Sequence, residues 1–175
     1  QTLLSYPTGA STPQPDAAEQ CGFSDAANQV YRCELREGLK FSNGDALDAQ
    51  AVKYSFDRIR KINVNGGPAG LLGSLERVQA PNDREVVFHL KSPEAEFLTN
   101  VSEMVGGMEI QSKAHFDKVG KPPSLQDEPI AGTGAYQYKE RVQSQYIRFE
   151  RVPYQHWRLS TEFPELEIRW QNEAS

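Results

Sequence analysis

Long apolar runs and dense clusters of basic residues are both missing from this sequence of 175 residues. A transmembrane helix needs about 20 consecutive apolar residues, and no stretch approaches that length. The net charge is −5 with Lys and Arg scattered, whereas nucleic-acid binding draws on a concentrated positive surface. Residues 1–4 also lack the basic and apolar regions of a signal peptide. We therefore expect a soluble chain without a nucleic-acid partner, from which any export signal or lipid anchor is absent.

Cysteine is scarce, with only Cys21 and Cys33 in the sequence. Two thiols cannot form a structural zinc site, and the histidines are not clustered near them; they are His89, His115 and His156. We therefore expect no metal site. The two cysteines are either independent buried thiols or a disulfide that joins a loop to the strand after it. A disulfide would indicate an oxidising compartment.

Catalytic motifs are missing as well. The sequence has no Gly-x-Ser-x-Gly elbow, no Walker-type phosphate loop and no His-Glu-x-x-His helix. The run Gly132-Thr133-Gly134 lacks the third glycine of a dinucleotide fingerprint, and strand-like residues follow it. Asp45 and Asp48 flank a predicted helix start, where capping explains them better than paired acid–base catalysis. The sequence thus predicts a protein that is not an enzyme and holds no cofactor.

Hydrophobic periodicity predicts both strands and helices. Apolar residues alternate with polar ones in the strand segments and recur every three or four residues in the helical segments. Residues 1–29, rich in Pro, Gly, Ser and Asp, are predicted to be loop-rich. The predicted strands cover residues 30–35, 84–91, 136–142, 146–152 and 166–170, and the predicted helices cover residues 49–62, 94–103 and 113–119. Because strict strand–helix–strand alternation is missing, the fold class is α+β or mixed α/β.

Turns and a helix cap punctuate these elements. Asn43-Gly44 suits a tight turn because both residues tolerate a positive φ. Residues 71–75 are predicted to form a short apolar turn, and residues 143–145 the turn of a hairpin. Asp48 is expected to cap the helix that starts at residue 49.

Residues 35–58 carry a specific pattern. They read Leu-Arg-Glu-Gly-Leu-Lys-Phe-Ser-Asn-Gly-Asp-Ala-Leu-Asp-Ala-Gln-Ala-Val-Lys-Tyr-Ser-Phe-Asp-Arg. The stretch resembles the signature of the family 5 extracellular solute-binding proteins, which include oligopeptide-, dipeptide- and nickel-binding subunits of ABC importers. Members run Leu-Arg-x-Gly-hydrophobic-Lys-Phe-x-x-Gly, then small residues, then Asp-Val-x-x-Ser-hydrophobic-x-Arg. Ala51 stands here where the Asp before the valine is common.

Other segments resemble the family in the same order along the chain, over roughly residues 30–175. The family often has Gly-Thr-Gly-Pro-Tyr and Asn-x-x-Tyr-Trp. Here Ala135 replaces that proline, and an extra residue, His156, precedes Trp157. The similar segments are residues 86–93, 130–136, 151–157 and 166–170.

The resemblance implies a periplasmic-binding-protein-like fold of type II (cluster C), in which a hinge joins two lobes around the solute. Residues 30–175 would form part of the first lobe, a mixed sheet with flanking helices, and the second lobe would be absent. The implied protein is a monomer that captures small peptides, closes its lobes and docks on an ABC permease. Its implied location is extracellular, as a membrane-anchored lipoprotein or in the periplasm.

Ligand-binding candidates follow from the same resemblance, because relatives have the Gly-Thr-Gly loop near the cleft between the lobes. The candidates are Met104, Gly106 and Gly107, together with Gly132, Thr133, Gly134 and Tyr136. Ordinary packing explains Met104 equally well. Since residues that pair with peptide termini lie largely on the second lobe of relatives, we expect this chain alone to bind peptide weakly or not at all.

Alternative functions remain open at this point. Within the family the solute could be a nickel chelate, an oligosaccharide or an opine, although dispersed histidines argue against direct metal coordination. Outside it, a secreted hydrolase domain would need a nucleophile with a base in reach. An adhesion or structural domain would show a large apolar surface patch.

Overall fold

The computed structural model describes residues 1–62, 66–102, 104, 106–119 and 131–170. The chain divides into two units, each described by itself below. Unit 1 comprises residues 1–39 and 46–113, and unit 2 comprises residues 40–45 and 114–175.

Unit 1 contains, in chain order, β1 (Leu4–Ser5), β2 (Gln14–Pro15), β3 (Ala18–Phe23), β4 (Val30–Leu35), α1 (Ala49–Ile62), a 3₁₀ helix (Pro68–Leu72), β5 (Leu75–Gln79), β6 (Glu85–Leu90) and α2 (Phe97–Asn100). Its main sheet has the order β3–β4–β6–β5, and β1 pairs with β2. The described sheets pair antiparallel throughout, with one parallel bridge between Leu4 and Ser102 outside the named strands. Helices and antiparallel sheets together confirm the α+β prediction.

Helix α1 confirms the sequence prediction at both ends. Asp48 caps its start, since the Oδ1 atom accepts the backbone N–H of Ala51 at 2.8 Å. Val52 and Phe56 are buried on the side expected from their spacing, whereas Ile59 is half-buried. The helix therefore forms because a good cap and an apolar stripe coincide.

The core of unit 1 is a cluster of aromatic rings. Phe88 of β6 has no exposed surface, and its ring packs edge-on against Phe56 at 5.0 Å and Phe97 at 5.6 Å between centroids. Phe97 in turn contacts Tyr31 of β4 at 5.7 Å. Burial raises the pKa of Tyr31 to about 12, because ionising the phenol would place a charge in an apolar environment. These rings fix the sheet against α1 and α2.

The prediction that residues 1–29 are loop-rich is wrong for β3, because this strand pairs with β4. β3 is an edge strand with exposed or half-exposed residues after Ala18, so it lacks the apolar alternation that reveals a strand. Cys21 lies directly opposite Cys33, and a disulfide joins them. A boundary at residue 30 would separate two covalently joined strands.

Two further elements differ from the prediction. β5 was not predicted, and only its first residue lies in the turn predicted over 71–75. A bulge between Leu75 and Arg77 brings its two buried residues, Leu75 and Val78, to a spacing of three, which hides the alternation of a strand. Of the helix predicted over 94–103, only residues 97–100 form a helix, α2. The start of α2 has no side-chain cap, and Val101, which follows its last residue, has a non-helical conformation. Glu103 lies outside the described residues.

Unit 2 contains α3 (Lys113–Val119), whose first residue belongs to unit 1, and the strands β7 (Tyr136–Val142), β8 (Tyr146–Arg151) and β9 (Glu165–Arg169). The strands form an antiparallel sheet in the order β7–β8–β9. The hairpin prediction is confirmed, and Ser144 takes a φ of +58° in its turn. β9 lies within one residue of the predicted strand at each end.

The two faces of this sheet differ in chemistry. On one face Leu166 and Ile168 of β9 lie opposite Phe149 and Ile147 of β8. Leu166 and Ile168 are 44% and 49% exposed, so this apolar face is open to solvent in the chain. The other face carries ion pairs of Arg148 with its neighbours, and the hydrogen bond from Arg148 lowers the pKa of Glu167. Such an amphipathic sheet normally packs its apolar face against another layer.

Candidate functional site

The loop at residues 131–136 is held by backbone hydrogen bonds within unit 2. The carbonyl oxygen of Gly132 accepts the N–H of Ser42 at 2.7 Å, and the carbonyl of Ala135 accepts the N–H of Val152 at 3.0 Å. Thr133 is buried, and its carbonyl oxygen bonds the imidazole of His156 at 3.0 Å. These hydrogen bonds hold the 131–136 loop to Ser42 on one side and to Val152 and His156 on the other.

Tyr154 strengthens the same corner of unit 2. Its hydroxyl group donates toward the carbonyl oxygens of Lys40 and Phe41 at 3.3 and 3.2 Å. The Lys40 ammonium lies 5.7 Å from the Tyr154 ring centroid, within cation–π range. Burial raises the pKa of Tyr154, which keeps the hydroxyl protonated as a donor.

A polar cleft of about 740 Å³ lies in unit 2 beside this loop. Three elements supply its walls: the 42–45 loop, the exposed side of α3, and the start of β7 with the end of β8. The lining residues are Ser42, Asn43, Asp45, Ala114, His115, Lys118, Ala131, Gln137, Tyr138 and Glu150. Its hydroxyl, amide and charged groups can hydrogen-bond a polar solute.

Neighbouring amides orient the two carboxylates of the cleft. Asn43 Nδ2 donates to Asp45 Oδ2 at 2.7 Å, and Gln137 Nε2 donates to Glu150 Oε1 at 3.1 Å. Lys118 adds a positive charge on the α3 wall. Because charges of both signs line one cavity, a zwitterionic solute would find complementary groups there.

The predicted binding residues fall into both units. In unit 2, Gly132, Thr133, Gly134 and Tyr136 do not line the polar cleft, although Ala131 on one side and Gln137 on the other do. Tyr136 instead donates its hydroxyl to the carbonyl oxygen of Phe163 at 3.0 Å. The contribution of the four residues to a solute site stays a prediction.

In unit 1, Met104 is 60% exposed, and Gly106 and Gly107 take positive φ angles of +65° and +81°. A side chain at Gly107 would come within 2.9 Å of Pro68 Cγ, so close packing against the 3₁₀ helix explains this glycine. The role of the three residues in binding also stays a prediction.

Sequence reasoning missed most of the cleft. Asn43 and Gly44 were interpreted only as a turn, and Gly44 indeed has a φ of +88°. The Asn43 side chain also accepts the backbone N–H of Asp45 at 3.1 Å, so the turn itself holds the carboxylate in place. The Asn-Gly-Asp sequence at residues 43–45 is the signal from which this placement of the Asp45 carboxylate could have been predicted.

A family model described as bacterial extracellular solute-binding proteins, family 5, middle region, matches residues 12–174. The chain belongs to this family.

Relatives and solved structures agree with the family. The chain is 30% identical over 171 residues to "Probable di/tripeptide-binding protein 5" of Pseudomonas aeruginosa UCBPP-PA14, covering 86% of this chain and 32% of the relative. It is also similar to the dipeptide-binding protein of Pseudoalteromonas sp. SM9913 in complex with Met-Leu, with a TM-score of 0.81, 20% identity, and coverage of 98% and 37%. The protein MoaA of A. tumefaciens R10, in complex with mannopinic acid, gives a TM-score of 0.80, 21% identity, and coverage of 98% and 34%.

These likenesses confirm the type II periplasmic-binding-protein fold predicted for the family 5 chain. The chain spans about a third of the length of the P. aeruginosa relative. Among the described residues, no helix is both long and apolar enough to span a bilayer. No three His, Cys, Asp or Glu residues within that part of the chain are grouped so that they could hold a metal ion.

Proposed function

We propose that this chain is part of the substrate-binding subunit of an ABC importer that captures small peptides outside the cytoplasm. The observation that carries the proposal is the family match over residues 12–174. The relative from P. aeruginosa is named as a di/tripeptide-binding protein, which supports a peptide as the solute.

Capture by lobe closure is the mechanism that fits this assignment. A solute that contacts both lobes shifts the population from open to closed, and the closed form docks on the permease. No bond of the solute is made or broken, so the protein acts as a binder and not as an enzyme. We further propose that the whole protein is a monomer, held in the periplasm or by a lipid anchor at the membrane.

The polar cleft of unit 2 supplies groups suited to a peptide. The Gln137 and Asn43 amides can hydrogen-bond a peptide main chain, whose donors and acceptors are the same for every sequence. Asp45 and Glu150 would favour a positively charged group, and Lys118 a negatively charged one. Recognition through the main chain would let one subunit accept many peptides.

Titration calorimetry on the whole protein tests this function. We expect a mixture of di- and tripeptides to bind with a Kd on the order of micromolar or tighter. The 175-residue chain alone should bind the same peptides far more weakly. Nickel–histidine, mannopinic acid and an oligosaccharide serve as the competing solutes. If one of these binds and the peptides do not, that solute replaces the peptide in the proposal.

We propose that residues 30–175, together with β3, belong to the first lobe of the whole protein. The open apolar face of the β7–β8–β9 sheet supports this, because a longer protein offers a layer to cover it. The relatives are about three times as long as this chain, in keeping with such a layer.

Cysteine labelling in the whole protein checks the apolar face. Within the 175 residues the two native cysteines form a disulfide, and the protein without a new cysteine measures the labelling of any other thiol. Ile168→Cys should react about 100-fold more slowly than the control Arg169→Cys, which points to the opposite face. Equal rates would show that the face is open in the whole protein. Protection that depends on protein concentration would show that a second copy covers it.

A further inference from the structure

The His156 imidazole makes contacts with both of its nitrogens. Its Nε2 atom lies 3.0 Å from the carbonyl oxygen of Thr133, in a buried contact. Its Nδ1 atom lies 3.2 Å from the backbone nitrogens of both Arg158 and Leu159, each of which donates to it. The ring thus bridges the turn at residues 156–159 and the loop at residues 132–134.

This geometry fixes the tautomer. A carbonyl oxygen can only accept, so the hydrogen must lie on Nε2. The two backbone N–H groups can only donate, so Nδ1 must carry a lone pair. Only the neutral Nε2–H ring satisfies all three contacts. A proton on Nδ1 would point at the two backbone N–H groups, which are also donors, and neither hydrogen bond could form.

A neighbouring aromatic ring also covers the imidazole. The Trp157 ring stacks on the imidazole, with centroids 6.2 Å apart and an angle of 29° between the planes. His156, only 7% exposed, therefore takes a buried place with defined partners.

We infer that His156 is a positioning residue. As the neutral Nε2–H imidazole it clamps the 156–159 turn to the Gly132–Thr133–Gly134 loop, and so holds that loop in place for the solute. The clamp itself rests only on the contacts above, whereas its effect on the solute rests on the proposed function. Because the loop also holds the 42–45 loop through the Gly132–Ser42 bond, the clamp reaches the wall of the polar cleft.

The clamp lies among charged side chains. The charged groups that share the cleft around His156 are Glu150 and Arg151 of β8 and Glu165 of β9. Arg158 follows on the same turn, with its guanidinium 5.9 Å from the Trp157 ring centroid. Mixed charges therefore surround the ring.

Nitrogen NMR of the whole protein tests the tautomer directly. We expect a proton on Nε2 and a bare Nδ1 that accepts hydrogen bonds from the amides of Arg158 and Leu159. An Nδ1–H tautomer, or a charged ring at neutral pH, would overturn the clamp.

Hydrogen exchange on substituted whole protein separates the two ends of the clamp. His156→Asn keeps an acceptor near Nδ1 and should preserve the protection of Arg158 and Leu159. His156→Gln keeps a donor that can reach Thr133 but should raise exchange at those two amides about tenfold. His156→Ala should loosen both the turn and the 132–134 loop. Faster exchange throughout β7, β8 and β9 would instead show general packing and overturn the positioning role.

Peptide affinity completes the test, with His89→Ala in unit 1 as the matched histidine control. We expect His156→Ala to weaken peptide binding about tenfold and His89→Ala to leave it unchanged. A loosened loop with unchanged affinity overturns the link to the solute while the proposed function stands. If the unsubstituted protein binds no peptide, the proposed function and that link both fail, and the NMR and exchange results still decide the clamp.

Discussion

Phe88→Ala in the whole protein is expected to lower the free energy of unfolding of unit 1 by about 3–5 kcal/mol. The ring has no exposed surface and packs edge-on against Phe56 and Phe97, so truncation leaves a cavity between α1, β6 and α2. The loss combines burial of the removed carbon atoms with the aromatic contacts. Urea unfolding followed by far-UV circular dichroism measures it.

Phe163→Ala is the matched control, because it removes the same ring from a side chain that is 71% exposed. If the whole protein leaves Phe163 equally exposed, its loss should change the unfolding free energy by less than about 0.5 kcal/mol. Both tryptophans of this chain, Trp157 and Trp170, lie in unit 2. Equal losses for the two variants would contradict the aromatic core described for unit 1.

Reduction of the Cys21–Cys33 disulfide is expected to lower the unfolding free energy by about 3 kcal/mol in the chain-entropy description. The bond ties the edge strand β3 to β4, and β3 buries little apolar surface that could hold it otherwise. Urea midpoints with and without dithiothreitol measure the change. Hydrogen exchange should show the loss of protection first in residues 18–23.

The double variant Cys21→Ala/Cys33→Ala separates the bond from side effects of the reductant. Its urea midpoint should lie near that of the reduced protein and should not move when dithiothreitol is added. If the urea midpoint of the unsubstituted protein is the same with and without reductant, the disulfide either adds nothing to stability or does not form.

Elements with strong local signals were predicted correctly from the sequence. Helix α1 combines a cap at Asp48 with buried Val52 and Phe56 at helical spacing, and each signal lies within the helix or next to it. The β7–β8 hairpin was likewise predictable, because its turn lies in the residues 143–145 that directly join the two strands. β3 and β5 escaped prediction because pairing with neighbouring strands determines them, through a disulfide in one case and a bulge in the other.

The candidate site was less predictable for a related reason. The polar cleft joins the 42–45 loop, α3 and the β7–β8 hairpin, which are far apart along the chain. No local pattern reports that Asp45 and Glu150 share a cavity. Ligand contact by the Gly-Thr-Gly loop stays a prediction, and its hydrogen bonds to Ser42 and His156 also depend on residues distant in the sequence. Which groups meet is decided by tertiary packing, and a single sequence does not display it.

We propose above that the whole protein holds a small peptide without altering it. Native mass spectrometry of the protein purified from its producing cells can detect that peptide. We expect a bound mass that unfolding releases and that fragments as an intact di- or tripeptide. A released sugar, metal chelate or opine in its place, or a protein that carries nothing and takes up no added peptide, would rule out peptide capture.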